Sequence, residues 1–171
     1  MTKLISNADV ERILTMGDTL ELMEEAFKEF AKGRGVSPPR THTYMHSQND
    51  NLSYRHKSII GGLEKFDVFA ERITSHIVGF PMVGGLKRQV KLAPTPKHRY
   101  PDLIFLFSLT TGELLSIIQG GALQRMRVGA TSGVGAKYLS RNDAKIAGIF
   151  GSGWPAPSTL YGSSNSTDKG L

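Results

Sequence analysis

The sequence predicts an α+β domain followed by the first β-strand and glycine turn of an incomplete α/β domain. Helical periodicity near the N-terminus and alternating patterns in the middle of the chain predict the first part. The apolar stretch K-I-A-G-I-F, which runs into a glycine turn at residues 151–153, predicts the second part. A dinucleotide-binding Rossmann unit begins in this way, because glycines let the backbone approach a pyrophosphate.

The composition is that of an ordinary globular protein. The 171 residues are 39% hydrophobic and 21% charged, which suits one domain with a buried core. No apolar run reaches the roughly 18 residues of a membrane helix, and the N-terminus lacks the pattern of a secretory signal. The absence of cysteine excludes disulfides and thiolate metal sites. We therefore expect a cytoplasmic protein without a membrane partner.

The net charge of +6 is distributed unevenly along the chain. Up to Glu71 there are 9 basic and 11 acidic residues, whereas from Arg72 onward there are 12 and 4. A basic half attracts nucleic acid, anionic membranes or anionic metabolites. No aromatic-basic RNA motif or recognition-helix pattern accompanies the charge, so nucleic acid is not the favoured partner.

Two helices are predicted before residue 35. Capping residues at positions 6–9 precede a short helix over residues 10–14. In the next helix, apolar residues recur at helical spacing and are expected to pack in the core. They are Leu20, Met23, Phe27 and Phe30, and the opposite, solvent-facing side carries Glu21, Glu24, Glu25, Lys28 and Glu29.

The middle of the chain predicts strands and one tight hairpin. Alternating patterns predict strands over residues 40–45, 52–60 and 68–78, and hairpin arms over residues 102–109 and 114–118. The turn T-T-G-E joins the two arms. The first arm is apolar enough to be buried on both faces. Residues 81–101 are rich in glycine, proline and positive charge, which predicts an exposed loop.

A glycine-rich helix is predicted over residues 124–139. Each interior glycine, including Gly129, Gly133 and Gly135, costs about 1 kcal/mol relative to alanine. That cost indicates close approach of another backbone, a helix or a ligand. Beyond residue 160 the chain is polar without helical periodicity, which predicts a disordered tail.

Three arginines are candidates for binding a substrate carboxylate. Arg40 follows two prolines, Arg72 lies in a predicted strand, and Arg127 lies near the start of the glycine-rich helix. The planar guanidinium suits carboxylates because it donates two parallel hydrogen bonds. These residues would form a site only if they converge, which spacing alone does not show. The histidines lack the spacing of a helical zinc site, so no metal is predicted.

The turn formed by Gly151, Ser152 and Gly153 is the candidate cofactor-binding segment. With the following residues it fits G-x-G-x-x-A, and its position after an apolar strand strengthens the assignment. Asp168 lies in no strand context, so it is not assigned to a cofactor ribose.

Taken in order, these features resemble the ornithine cyclodeaminase/mu-crystallin family over residues 1–156. The resemblance rests on the P-x-R segment ending at Arg40, the hairpin T-T-G-E-L-L, and the stretch Q-R-M-R-V-G-A-T-S-G-V-G-A that precedes the glycine turn. It implies that an N-terminal α+β domain forms a homodimer and supplies much of the substrate pocket. It also implies a following Rossmann domain that binds NAD or NADP.

The resemblance implies roles for the candidate site residues. Arg40 and Arg127 match the family's arginines that bind the α-carboxylate of a small amino or imino acid. Arg72 lies where many members have a lysine in the pocket, and this change affects the expected reaction because arginine is a poor proton shuttle. Gly151 to Gly153 match the phosphate-binding turn. The family's catalytic aspartate would lie beyond Leu171, so no catalytic residue is assigned here.

The predicted organisation is therefore a substrate and dimerisation domain over residues 1–143, including the linking helix, followed by a truncated cofactor domain over residues 144–171. The predicted function of the full-length form is NAD(P)-dependent amino-acid deamination with cyclisation, or imino-acid reduction. One alternative is an inactive remnant that dimerises and binds a small carboxylate. Another is a module that binds anions or nucleic acid through its basic loop.

Overall fold

The computed structural model describes residues 1–49, 51–92, 102–153 and 155–165. The strands are β1 (Lys3–Ile5), β2 (Gly35–Val36), β3 (Thr41–His46), β4 (Leu52–Leu63), β5 (Val68–Gly79), β6 (Met82–Val83), β7 (Leu86–Lys87), β8 (Val90–Lys91), β9 (Asp102–Ser108) and β10 (Leu114–Gln119). The helices are α1 (Asn7–Ile13), α2 (Met16–Ala31), α3 (Gly120–Leu139) and α4 (Ala156–Asn165), with a 3-10 turn at Glu64–Phe66. The described chain divides into a sheet unit (within residues 1–4 and 36–119) and a helical unit (residues 5–35 and from 120 onward).

The sheet unit is built on a long antiparallel hairpin. The central order of strands is β1-β10-β9-β5-β4-β2, and β3 also pairs with β4 while β8 pairs with β5. Strands β4 and β5 are twelve residues each and pair without interruption from Leu52 opposite Gly79 to Leu63 opposite Val68. The predicted strands at 40–45, 52–60 and 68–78 are thus confirmed, with shifts of a few residues at their ends.

Asp67 closes the turn between β4 and β5. Its φ of 53° lies in the left-handed region, which aspartate tolerates better than most residues. Its carboxylate accepts hydrogen bonds from the amide and hydroxyl of Thr110, both at 2.8 Å, and from the hydroxyl of Ser108 at 2.9 Å. These bonds hold the pKa of Asp67 below its ordinary value, chiefly through the side chain of Thr110. They also connect this turn to the end of β9.

The predicted hairpin at residues 102–118 is confirmed as β9 and β10, with Gly112 at a φ of 70° in its turn. Its first arm is only partly buried, with Ile104 and Ser108 the buried members. The stretch predicted as an exposed loop at 81–101 is exposed in its described part, but it is not a loop throughout, because residues 82–87 form the small β6–β7 sheet and β8 joins β5. Residues 93–101 lie outside the described residues.

Capping residues start the two N-terminal helices. Ser6 and Asp9 form a reciprocal capping box at α1, and Thr15 and Asp18 form a second one at α2. The first predicted helix therefore begins at Asn7, three residues earlier than its expected start. No helix of the described residues has the length and apolar content needed to cross a membrane.

One face of α2 differs from the prediction. Glu29 was expected in solvent but is 1% exposed, while Phe27 and Phe30 are about half exposed. Burial of this carboxylate is possible because Arg34 donates two hydrogen bonds to it, at 2.6 and 2.7 Å, and Lys32 a third at 3.0 Å. The same bonds lower the pKa of Glu29 to about 2.

Helices α3 and α4 pack backbone to backbone in the helical unit. A Cβ added at Gly129 would contact the carbonyl oxygen of Ser158, and one at Gly133 would lie 2.5 Å from the carbonyl oxygen of Gly162. The close approach predicted from these glycines is therefore confirmed, with α4 as the partner. The expectation of a disordered tail is wrong for residues 161–165, which continue α4 because this contact stabilises a helix that lacks apolar periodicity.

The predicted strand at residues 145–150 is wrong. This segment forms no strand, and its side chains are exposed, with Ile146 at 92% and Phe150 at 103%. A strand requires a hydrogen-bonded neighbour, and no described residue pairs with this segment. The helix predicted at 124–139 is present as α3 but belongs with the helical unit rather than with the sheet. Assignment of residues 144–171 to a cofactor domain stays a prediction.

Candidate functional site

The β4–β5 hairpin brings basic side chains to one face of the sheet. Directly opposed residues of antiparallel strands share a face. The opposed pairs on this face are Arg55 with His76, Lys57 with Thr74, and Ile59 with Arg72, while β3 adds His42 opposite Lys57 and β8 adds Lys91 opposite Val78. We call Arg40, Arg55, Lys57, Arg72 and Lys91 the basic cluster.

Arg72 is held in place by an acidic neighbour. Its Nη2 donates to Oδ1 of Asp102 at 3.1 Å, and the two side chains are 16% and 19% exposed. Asp102 is a residue of β9 and lies opposite Thr74 of β5, which is two residues from Arg72 on the same face. His76 also contributes to this row of polar groups, with its Nε2 3.9 Å from Asp102 Oδ1. The carboxylate therefore positions the guanidinium that sequence analysis selected.

Arg55 lies deeper in the same face. It is 7% exposed, and its Nη1 donates to Oε1 of Gln89 at 3.0 Å. Nε2 of Gln89 in turn donates to the hydroxyl of Tyr44 at 3.2 Å. A neutral amide is thus the hydrogen-bond partner of a buried cation, and Arg55 makes no ion pair with any described residue.

Crowding of like charge changes the acidity of the cluster. Burial lowers the pKa of Lys57, and the charges of Arg72, Lys91, Arg55 and Arg40 lower it further. The pKa of Lys91 is also lowered, mainly by burial, against the opposing charge of Asp102.

Arg40 belongs to this cluster electrostatically. It is exposed and directly precedes β3, and its charge contributes to lowering the pKa of both Lys57 and His42. For His42 the first cause is burial, followed by Arg55 and Lys57. Of the three predicted arginines, Arg72 therefore lies on this charged face, and Arg40 directly precedes β3, the strand that pairs with β4.

Arg127 lies in the helical unit. It is an exposed residue of α3, two turns before the tight contact at Gly133. Its convergence with Arg40 stays a prediction, because the two residues belong to different units.

The predicted phosphate-binding turn has part of the expected geometry. Gly151 has a φ of 104°, a value that favours glycine, and α4 begins at Ala156, with its amide donating to the carbonyl of Gly153. Ser152 lies between the two glycines and is exposed. The turn is thus followed by a helix, whereas the preceding strand is not formed, and phosphate binding by this turn stays a prediction.

Sequence reasoning did not select Arg55 and Lys57, and it assigned Lys91 to the basic loop rather than to a face of the sheet. Arg55 and Lys57 are two residues apart on a strand, which places them on one face, and this alternation was the available signal. Their alignment with Arg72 depends on the pairing of β4 with β5 and could not be read from one strand. Among the described residues, no group of three or more His, Cys, Asp or Glu side chains could hold a metal ion.

Comparison with known proteins identifies relatives of this chain. The sequence profile of the ornithine cyclodeaminase/mu-crystallin family matches residues 1–165. The chain belongs to this family. Alanine dehydrogenase of Archaeoglobus fulgidus is 26% identical over 158 residues, which cover 91% of this chain and 42% of that protein. The match to the family includes the residues of α4, beyond the end of the predicted resemblance.

Two solved structures of family relatives share the fold. Δ1-pyrroline-2-carboxylate reductase of Thermococcus litoralis, in complex with NADH and L-proline, is 30% identical with a TM-score of 0.69 over 95% of this chain and 46% of that one. An archaeal alanine dehydrogenase dimer with bound NAD is 22% identical with a TM-score of 0.73 over 98% and 46%. Family members thus use a nicotinamide cofactor, as the resemblance implied. This chain spans less than half the length of these relatives.

Proposed function

We propose that this chain supplies the carboxylate-binding face of an NAD(P)-dependent enzyme that interconverts amino and imino acids. The reaction is imino-acid reduction, or amino-acid deamination with cyclisation. The observation that supports the proposal is the position of Arg72 on the basic face of the sheet, with Arg40 directly before β3, the strand that pairs with β4. Two guanidinium groups on one face can bind and orient an α-carboxylate, since each offers paired donors.

In this proposal the chain orients the substrate. A guanidinium group is a poor proton shuttle, so Arg72 is assigned to binding the carboxylate and not to transferring a proton. Asp102 fixes its guanidinium through the 3.1 Å hydrogen bond. Arg127 is assigned to the same carboxylate by its motif alone.

The cofactor would bind at the turn of Gly151, Ser152 and Gly153. A positive φ at Gly151 and a helix that begins a few residues later support this assignment. When bound, the nicotinamide accepts or supplies the hydride. We also propose that the protein acts as a homodimer in the cytoplasm.

Ligand titration tests the carboxylate site. Titration of the chain with L-proline, L-alanine or L-ornithine, followed by NMR, is expected to show saturable binding. Arg40→Gln and Arg72→Gln should each weaken it about tenfold, the equivalent of about 1.4 kcal/mol. Arg12→Gln is the matched control, because Arg12 is an exposed residue of α1 paired with Asp9. Equal affinity in all four proteins would contradict the assignment.

Fluorescence titration with NADH and NADPH separates the proposal from its alternatives. Saturable binding that Gly151→Val weakens would support the cofactor turn. Carboxylate binding without nucleotide binding would favour the inactive remnant. For the nucleic-acid alternative, a gel shift that disappears with Lys87→Glu and Arg88→Glu would favour the basic loop instead.

A further inference from the structure

Arg55 is a buried cation that lacks an acidic partner in the described chain. Its side chain is buried in the sheet face, its Nε has no hydrogen-bond partner among the described residues, and Gln89 is neutral. Burying a charge without a counterion is costly, and proteins normally compensate it with an opposite charge. This position is therefore suited to an anion that binds from outside the chain.

The neighbours of Arg55 extend the same chemistry. Lys57 is the next residue along β4 on this face, and it makes no ion pair with a described residue. Thr74, directly opposite Lys57, is 2% exposed, and in the part of the chain that the structure describes its Oγ1 also lacks a hydrogen-bond partner. An anionic oxygen placed here would accept hydrogen bonds from both arginine and threonine donors.

The charge balance of the face exceeds what one carboxylate would neutralise. The charged and titratable groups are Arg40, His42, Tyr44 and His46 from the β3 side, Arg55 and Lys57 on β4, Arg72 and His76 on β5, Lys91 on β8 and Asp102 on β9. Asp102 is the acidic member of that set, against five Lys and Arg side chains. Residues 93–101, which lie outside the described part, contain no Asp or Glu.

We propose that the substrate carries a second carboxylate, bound by Arg55 with Lys57 and Lys91, so that the enzyme acts on a dicarboxylic amino or imino acid. This inference rests on the proposed function, in which Arg40 and Arg72 bind the α-carboxylate. Arg72 lies opposite Ile59, which is four residues from Arg55 along β4, so the two arginine positions are about 13 Å apart along the strand direction. The two long side chains shorten that span from both ends, which suits a diacid of four or five carbons.

Calorimetric titration with succinate and with butyrate tests the inference, since the two ligands have equal chain length but differ by one carboxylate. Succinate is expected to bind at least tenfold more tightly than butyrate. Its affinity should fall as the pH rises, and the fall should begin below the ordinary lysine pKa of 10.5, because burial and the neighbouring cations lower the pKa of Lys57 and the anion binds its protonated form. Equal affinity for both ligands, with butyrate bound, would overturn the inference and leave the proposed function intact. No binding of either ligand would contradict both.

Two substitutions locate the second carboxylate. Arg55→Gln and Lys57→Gln should each lower the ratio of succinate to butyrate affinity about tenfold, while Arg12→Gln should leave the ratio unchanged. Near-ultraviolet circular dichroism reports whether each variant is folded. Lys57 is less buried than Arg55, so Lys57→Gln decides the question if Arg55→Gln does not fold. An unchanged ratio in the folded variant would refute the assignment.

Discussion

Replacement of Gly129 by alanine is expected to destabilise the helical unit although alanine is the better helix former. The added Cβ would lie 2.6 Å from the carbonyl carbon of Ser158, in contact with its oxygen. The obstacle is backbone, so no change of rotamer can relieve it, and α4 must move away from α3. Gly135 lies on the same helix, but a Cβ there would meet nothing within 4 Å. The two positions form a matched pair.

Two opposing contributions determine the expected change in the free energy of unfolding. Alanine in place of glycine stabilises a helix interior by about 1 kcal/mol, and this gain applies to both variants. Overpacking a tight contact costs about 1–3 kcal/mol, and this cost applies to Gly129→Ala alone. The free energies of unfolding of the two variants should therefore differ by about 1–3 kcal/mol, with Gly135→Ala more stable than the parent protein.

Urea denaturation followed by far-ultraviolet circular dichroism measures this difference. The free energy of unfolding must fall with urea concentration at the same slope in both variants for the comparison to hold. Gly162→Ala is a reciprocal check, since its Cβ would meet the backbone of Gly129. If Gly129→Ala is as stable as Gly135→Ala, then α3 and α4 are not in backbone contact and the reasoning is refuted.

Three further predictions concern hydrogen-bonded side chains. Ser6→Ala should lower the free energy of unfolding by about 1 kcal/mol in urea titrations, because it removes the cap of α1. Glu24→Gln should destabilise the protein at pH 7, but the difference should vanish as the pH falls from about 4.5 toward 2. Its hydrogen bonds, first with Lys137 on α3, lower the pKa of Glu24 to about 2, so its stabilising contribution is lost only when the carboxylate is protonated. Asp67→Ala should speed hydrogen exchange at the amide of Thr110, measured by NMR, and unchanged exchange there would show that the 2.8 Å bond is not formed.

The sequence predicted the elements whose signals are local. The β9–β10 hairpin carries its turn residues between two apolar arms, and α1 carries its cap within three residues of its start. Burial of Glu29 was not predictable in this way, because it depends on Arg34, which lies beyond the end of α2. The segment at 145–150 has the composition of a strand, but a strand forms only where a neighbour is available to pair with it.

The candidate site was predicted in part for the same reason. Arg40 and Arg72 were selected for their chemistry and for the family resemblance; Arg72 lies on the basic face, Arg40 directly precedes β3, and their role in substrate binding stays a prediction. Arg55 and Lys57 were not selected, since nothing in one strand indicates which partner residues it will face. Their burial and their position opposite β5 arise from pairing across residues far apart in sequence.

The turn between β4 and β5 has a consequence for the chemistry of a surface about 20 Å away along the strands. Whether a residue of β4 points to one side or the other depends on whether its distance from the turn is an odd or an even number of residues. Deletion of a single residue there, such as Lys65, would shift β4 by one position against β5 and invert its side chains. Arg55 and Lys57 would then lie on the side opposite Arg72. The parity of one short turn thus determines whether the cations of β4 and β5 act on the same ligand.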